Sequence, residues 1–210
     1  MGNFKERAIY FLKQAFKYRV LVILLVLTAA FLGVGGMQYL FSEEQNIPVS
    51  FVEARNRSVA LTSEIVSIIG TSAAELELMA KDDEAKNLDK ALERVRKSLD
   101  LNEEARSKAT LLAKELEIMA QALPVISPSY IQKVATSAIT AEVSLISHFI
   151  TYNDNYNRLL EILRAHFLGE DSGSDALTGL AKNVGQEIGA INQLNEQFYQ
   201  LINQLDGYLR

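Results

Sequence analysis

The stretch "SHFITYNDNYNRLL", residues 147–160, gathers one histidine, two tyrosines, three asparagines and an aspartate inside an otherwise amphipathic segment. Groups of this kind could hold a small polar or anionic ligand between facing helices. They could equally form a buried polar layer that sets the register of apolar helices at some cost in stability. With helix turns near 82, 126 and 172, partners across each hairpin place Thr62, Asn102, Arg106, His148, Tyr152, Asn155, Asn192 and Asn195 at one height. If a ligand is bound there, Arg106, His148 and Tyr152 are the side chains expected to hold it.

Covalent and metal chemistry find little support in the chain. Cysteine is absent, which removes disulfides, thiolate ligands and thiol nucleophiles. No phosphate-binding glycine loop, G-x-S-x-G elbow, H-E-x-x-H pair or dinucleotide fingerprint occurs. Neither His148 nor His166 has the Glu three residues earlier that a di-iron bundle uses. The acidic loop around Asp171 and Asp175 lacks the ligand spacing of a calcium loop. Asn56-Arg57-Ser58 matches a glycosylation sequon but falls within a helix. No enzyme, cofactor or metal site is therefore expected.

The elements that would position these side chains read as four helices. Ser50 to Glu53 resembles a capping box after Pro48. Val52, Val59, Val66, Ala73 and Ala80 then recur every seven, interleaved with Thr62, Ile69 and Leu76, over residues 50–81. Asp82-Asp83 offers the next cap, followed by Leu88, Val95, Asn102, Ala109 and Leu116, with Leu92, Leu99, Arg106, Ala113 and Ala120, as far as Pro124. Ser127-Pro128 starts a third helix, with proline at its first position, carrying Ile131, Ala138, Leu145, Tyr152 and Leu159 to about residue 168. After "GEDSGSD", a fourth carries Leu177, Val184, Ile191, Phe198 and Leu205, with Ala181, Ile188, Asn195, Ile202 and Leu209. Stripes of similar length joined by short turns predict an all-α fold, an antiparallel up-down-up-down four-helix bundle over residues 50–210.

Upstream, residues 20–41 form a charge-free run of 22 residues, long enough to cross a bilayer and longer than the apolar region of most cleaved signal peptides. An N-terminal transmembrane helix is expected, with residues 42–49 as linker. Residues 1–19 hold five basic residues against one acidic, a charge of +4, which leaves 16 basic against 25 acidic, or −9, for the rest. The positive-inside rule places the basic segment in the cytoplasm and the bundle on the extracytoplasmic side, in the periplasm of a bacterium. The acidic domain argues against nucleic acid as a partner. The bilayer is one expected partner, and other membrane or envelope proteins or further copies of the chain are the others. Ala181, Gly185 and Gly189, spaced by four, offer a place for close helix–helix contact.

In outline this arrangement is similar to the helical sensor bundles of chemoreceptors and some sensor kinases. Those carry a second transmembrane helix and a cytoplasmic signalling region, neither of which occurs in the 210 residues, so no family is assigned. The expected function is contact, as scaffold or subunit of a cell-envelope complex. The alternative is a small-ligand sensing module that signals through a membrane partner.

Overall fold

The computed structural model describes residues 45–170 and 174–208, and the expected basic segment, transmembrane helix and most of the linker lie outside the described residues. What it describes is all-α: α1 (Val49–Glu84), α2 (Leu88–Ala122), a 3₁₀ turn (Leu123–Val125), α3 (Ser129–Phe167) and α4 (Ser174–Tyr208).

The helix ends differ in detail from the sequence reading. Ser50 lies inside α1, and Pro48 is the N-cap, its carbonyl accepting from Phe51 and Val52 N–H, with no side-chain cap. Asp82 and Asp83 do not cap α2. They continue α1, and the chain turns at Lys86, which adopts a left-handed φ of 56°, before Asn87 begins α2. Pro128 is the N-cap of α3 rather than its first residue, after a cis Ser127–Pro128 peptide. At the far end of α3 the glycine signal holds. Gly169 takes φ 77° and donates to His166, while Glu170 N–H donates to Ala165, the paired bonds of a Schellman motif.

Contacts between helices follow simple orders. As residue numbers rise on α1, those of their α2 partners fall: Arg57 pairs with Glu115, Glu64 with Lys108 and Glu75 with Lys97. Between α3 and α4 the order is likewise inverted, Tyr130 packing on Tyr208 and His148 bonding Glu187. Between α1 and α3 numbers rise together, Thr62 reaching Glu142 and Ser72 reaching Tyr156. Just before α1, Asn46 forms a two-bond antiparallel bridge with Ser127, so the chain enters beside the α2–α3 turn.

The core uses a seam one residue off the expected one in two helices. On α1 the buried heptad positions are Phe51, Ser58, Ile65, Ser72 and Met79, with Arg55, Thr62 and Ile69 between them, whereas Val52, Val59, Val66 and Ala73 lie on its half-buried flank and Ala80 is exposed. On α2, Val95, Asn102, Ala109 and Leu116 are buried as expected. Their partners are Ala91, Ser98, Ala105, Leu112 and Met119, not Leu92, Leu99, Arg106, Ala113 and Ala120. Small residues win the inner seam because they admit close helix approach and leave room for Tyr152, Tyr156, Phe149 and Phe198. On α3 the expected seam holds, with Leu145, Tyr152 and Leu159 buried; on α4 Val184, Ile191, Phe198, Ile202 and Leu205 are buried, whereas Leu177, Ile188 and Asn195 are half-buried and Ala181 is exposed.

Two of these helices, α1 and α3, are long and apolar enough to cross a membrane by length and composition. A core helix passes the same test. Glu75 of α1 and Glu142 of α3 are buried and bonded to neighbouring helices, whereas Glu53, Arg57, Asp154 and Arg158 of the same two helices are exposed.

Candidate functional site

Polar groups do collect inside the helices, but not as one layer, and of the expected members only Thr62, Asn102, Tyr152 and Asn195 take part. Asn102 is 3% exposed and stands at the centre of an amide ring. Its Nδ2 donates to Asn157 Oδ1 at 2.7 Å, Asn157 Nδ2 donates to Asn153 Oδ1 at 3.4 Å, and Asn153 Nδ2 donates to Asn102 Oδ1 at 2.8 Å. Each amide donates one bond and accepts one within the ring, which fastens α2 to α3. Beside it, Tyr152 and Tyr156 stack with centroids 5.3 Å apart. Tyr156 donates its hydroxyl to the Ser72 carbonyl across the core at 3.0 Å. Burial raises the pKa of both phenols. Ser72 exerts a small opposing pull on Tyr152, yet no aligned bond reaches that buried hydroxyl among the described residues.

Sequence reasoning missed the second polar site. Glu142, fully buried on α3, accepts a bond from Thr62 Oγ1 of α1 at 2.7 Å. Burial pushes its carboxyl up to about 8, against the smaller opposing pull of the Thr62 bond, so at neutral pH it is mainly the neutral acid. Its Oε2 has no partner among the described residues. The pairs Tyr130–Tyr208 and His148–Glu187 bracket Glu142, which puts Asn195 of α4 near its level, and Asn195 Oδ1 is a second buried atom without a partner. Both helices thus turn an unfilled polar valence inward at one height.

The remaining expected members are dispersed. Arg106 is exposed and lines a hollow between α2 and α3, whereas His148, half-buried, turns to α4 and bonds Glu187 Oε2 at 2.7 Å. The expected trio of Arg106, His148 and Tyr152 therefore does not converge on one point. Asn155 is half-buried and Asn192 is exposed. Ala181, Gly185 and Gly189 are exposed, and a Cβ on either glycine would meet nothing within 4 Å, so no described helix packs on that stripe.

Two causes produced the dispersal. The α2 seam runs through Ala105 rather than Arg106, and α1 extends through Glu84. Moving a turn by about one helical turn displaces partners by about two, since both arms shift.

The rim holds ion pairs. Glu75, 5% exposed, binds Lys97 at 2.6 Å and Arg94 at 2.9 Å, and these bonds, Lys97 first, hold its carboxyl below the usual range. Arg94 also reaches Asp82 at 2.6 Å. Arg55 pairs with Asp206, joining α1 to α4. The His148–Glu187 pair has the form of a base and its orienting carboxylate, but no hydroxyl bonds the other ring nitrogen among the described residues. Nor does any group of three or more acidic or histidine side chains among them stand where it could share a metal ion. Comparison with family models, with curated proteins and with solved structures finds no match to this chain.

Proposed function

We propose that the protein is a single-pass, membrane-anchored up-down-up-down four-helix bundle that acts by protein–protein contact, as a scaffold or subunit of a cell-envelope complex. One observation carries this reading. At the end where the chain enters, beside the Asn46–Ser127 bridge, Val49, Val125 and Tyr130 are exposed by 72%, 55% and 46%. An apolar cap on the domain that follows the charge-free run of residues 20–41 in sequence suits the edge of a bilayer, where a tyrosine and short aliphatic side chains are stabilised. The core polar groups, by contrast, are largely engaged with one another, and the acidic surface offers nothing to nucleic acid.

A sensing role is the second reading, favoured by the buried, unfilled valences of Glu142, Tyr152 and Asn195. A neutral polar ligand that satisfied them would raise the melting temperature by mass action.

A reporter active only outside the cytoplasm should work when fused after Arg210 and be silent when fused at residue 3. The tagged chain, extracted from membranes in mild detergent, should bring the same envelope proteins or further copies of itself in fixed ratio. The opposite reporter pattern removes the topology. A chain that purifies alone and monomeric removes the contact role, and a melting shift with a small polar compound would then move the reading to sensing.

A further inference from the structure

Beside the core, α2 and α3 each carry a second seam of apolar side chains that is only partly packed against it. On α2, the seven-residue series Leu92, Leu99, Arg106, Ala113 and Ala120 lies outside the buried positions, its leucines half-buried and its other members exposed. On α3, Ile139, Val143, Ile146 and Ile150 recur at intervals of four, three and four; Ile139 is buried and Ile146 half-buried against the core, while Val143 and Ile150 are exposed. The seams face one another across an open groove. A hollow of about 350 Å³, lined by Arg106, Ala113, Ile150 and Asp154 among others, adjoins a second of about 320 Å³ lined by Leu116, Ala120, Ile139 and Val143. Ala113 and Ile146 belong to both. Val143 and Ile150 stand 54% and 56% exposed on its edge. A helix apolar on two sides can bury the second only against something outside its own domain.

We propose that this α2–α3 face is where a second copy of the chain docks, Val143 and Ile150 of each α3 seating over the alanines of the other chain's α2. Three features select a second copy as occupant. First, the face is self-complementary, with protruding knobs on α3 beside shallow holes made by Ala109, Ala113 and Ala120 on α2, so a two-fold operation brings knobs to holes twice.

Second, the α3 flank is free of outward charge. Between Lys133 and Asp154 the only acid is the buried Glu142, and His148 is turned to Glu187 of α4. Seated over the alanines of the other chain's α2, an unpaired charge on that flank would be desolvated without compensation. Third, Arg106 and Asp154 line the same hollow, and neither side chain has an ion pair with a described residue. A two-fold axis along the helices preserves height, which brings Arg106 of one chain level with Asp154 of the other. Chains anchored in one membrane share that axis direction, and their α3 helices then run parallel.

The inference rests on the contact reading above and narrows it to one surface. Envelope proteins co-purifying with a monomeric chain would leave that reading standing and remove this one.

The chain has no cysteine, so single introduced cysteines report proximity without a background. In the full-length protein in detergent, Val143→Cys and Ile150→Cys should each give a disulfide-linked homodimer under mild oxidation. Leu111→Cys, 48% exposed but in neither hollow, should not. Light scattering should give a protein mass of twice 23.4 kDa, falling to 23.4 kDa for Val143→Arg with its melting temperature unchanged. Three results would overturn the proposal: a monomeric wild-type chain, linkage at Leu111 as efficient as at Val143, or a nitroxide at Val143 that oxygen relaxes from within lipid, which would assign the face to the bilayer.

Discussion

Glu142 is closed off from water, and its ionisation state is set by that burial. Unfolded, it titrates near 4.5; folded, near 8. Below the lower value both states hold the proton and the group costs nothing. As pH rises from 4.5 to 8 the unfolded chain releases the proton while the folded one keeps it, so stability falls across that window and then levels off. Glu142→Gln keeps an acceptor for Thr62 and removes the titration. Urea unfolding at pH 9 should find the variant more stable than wild type by about 2–4 kcal/mol, with little difference at pH 4. A wild type equally stable at both pH values would contradict the burial account. The sequence reading reached Asn102 and Tyr152 but not Glu142, Asn153 or Tyr156. The signal was present. Extending Ile131, Ala138, Leu145 and Tyr152 by their partners four residues on gives Ala135, Glu142, Phe149 and Tyr156, all buried. A lone Glu in that series, in a stretch with no other acid from 134 to 153, marks a buried acid rather than a wet face.

Among the elements, existence and order were legible, and the seam of α3 with them, but the seam of α1 and the register between hairpin partners were not. Heptads and proline or glycine punctuation sufficed to find four helices. Hairpin arithmetic failed because Asp82-Asp83, good caps by residue type, sit in the last turn of a helix that tertiary packing prolongs to Glu84. The seams of α1 and α2 were misplaced by one residue because the eye follows Val and Leu, whereas close packing around tyrosines and phenylalanines favoured Ser58, Ser72, Ser98 and Ala105. The α4 stripe offers a clean test. Each glycine costs a helix roughly 1 kcal/mol relative to alanine, and a Cβ at Gly185 or Gly189 meets no neighbour within 4 Å. Gly185→Ala with Gly189→Ala should therefore raise stability by about 1–2 kcal/mol, read by thermal melting. If the stripe is also a docking site, the same pair will weaken co-purification of partners while the melting temperature rises. A fall in melting temperature would mean that the stripe is packed within the chain after all.

At the scale of the whole molecule, hydropathy and charge supply the outline: a basic start, a charge-free span, then an acidic helical domain. The apolar turn over residues 123–130, Val125 and Tyr130 included, was legible; that Val49 lies beside it was not, because the two segments meet only through the Asn46–Ser127 bridge, a pairing of residues far apart in the chain. That cap makes the central claim measurable. Val125 and Lys86 lie beyond opposite ends of α2, which at 35 residues and about 1.5 Å per residue spans roughly 50 Å. With the full-length chain reconstituted in bilayers, a nitroxide at Val125 should be relaxed by oxygen dissolved in lipid. One at Lys86 should respond only to a water-soluble nickel quencher. Equal aqueous accessibility at the two positions would contradict a bundle standing on the membrane by its α2–α3 turn.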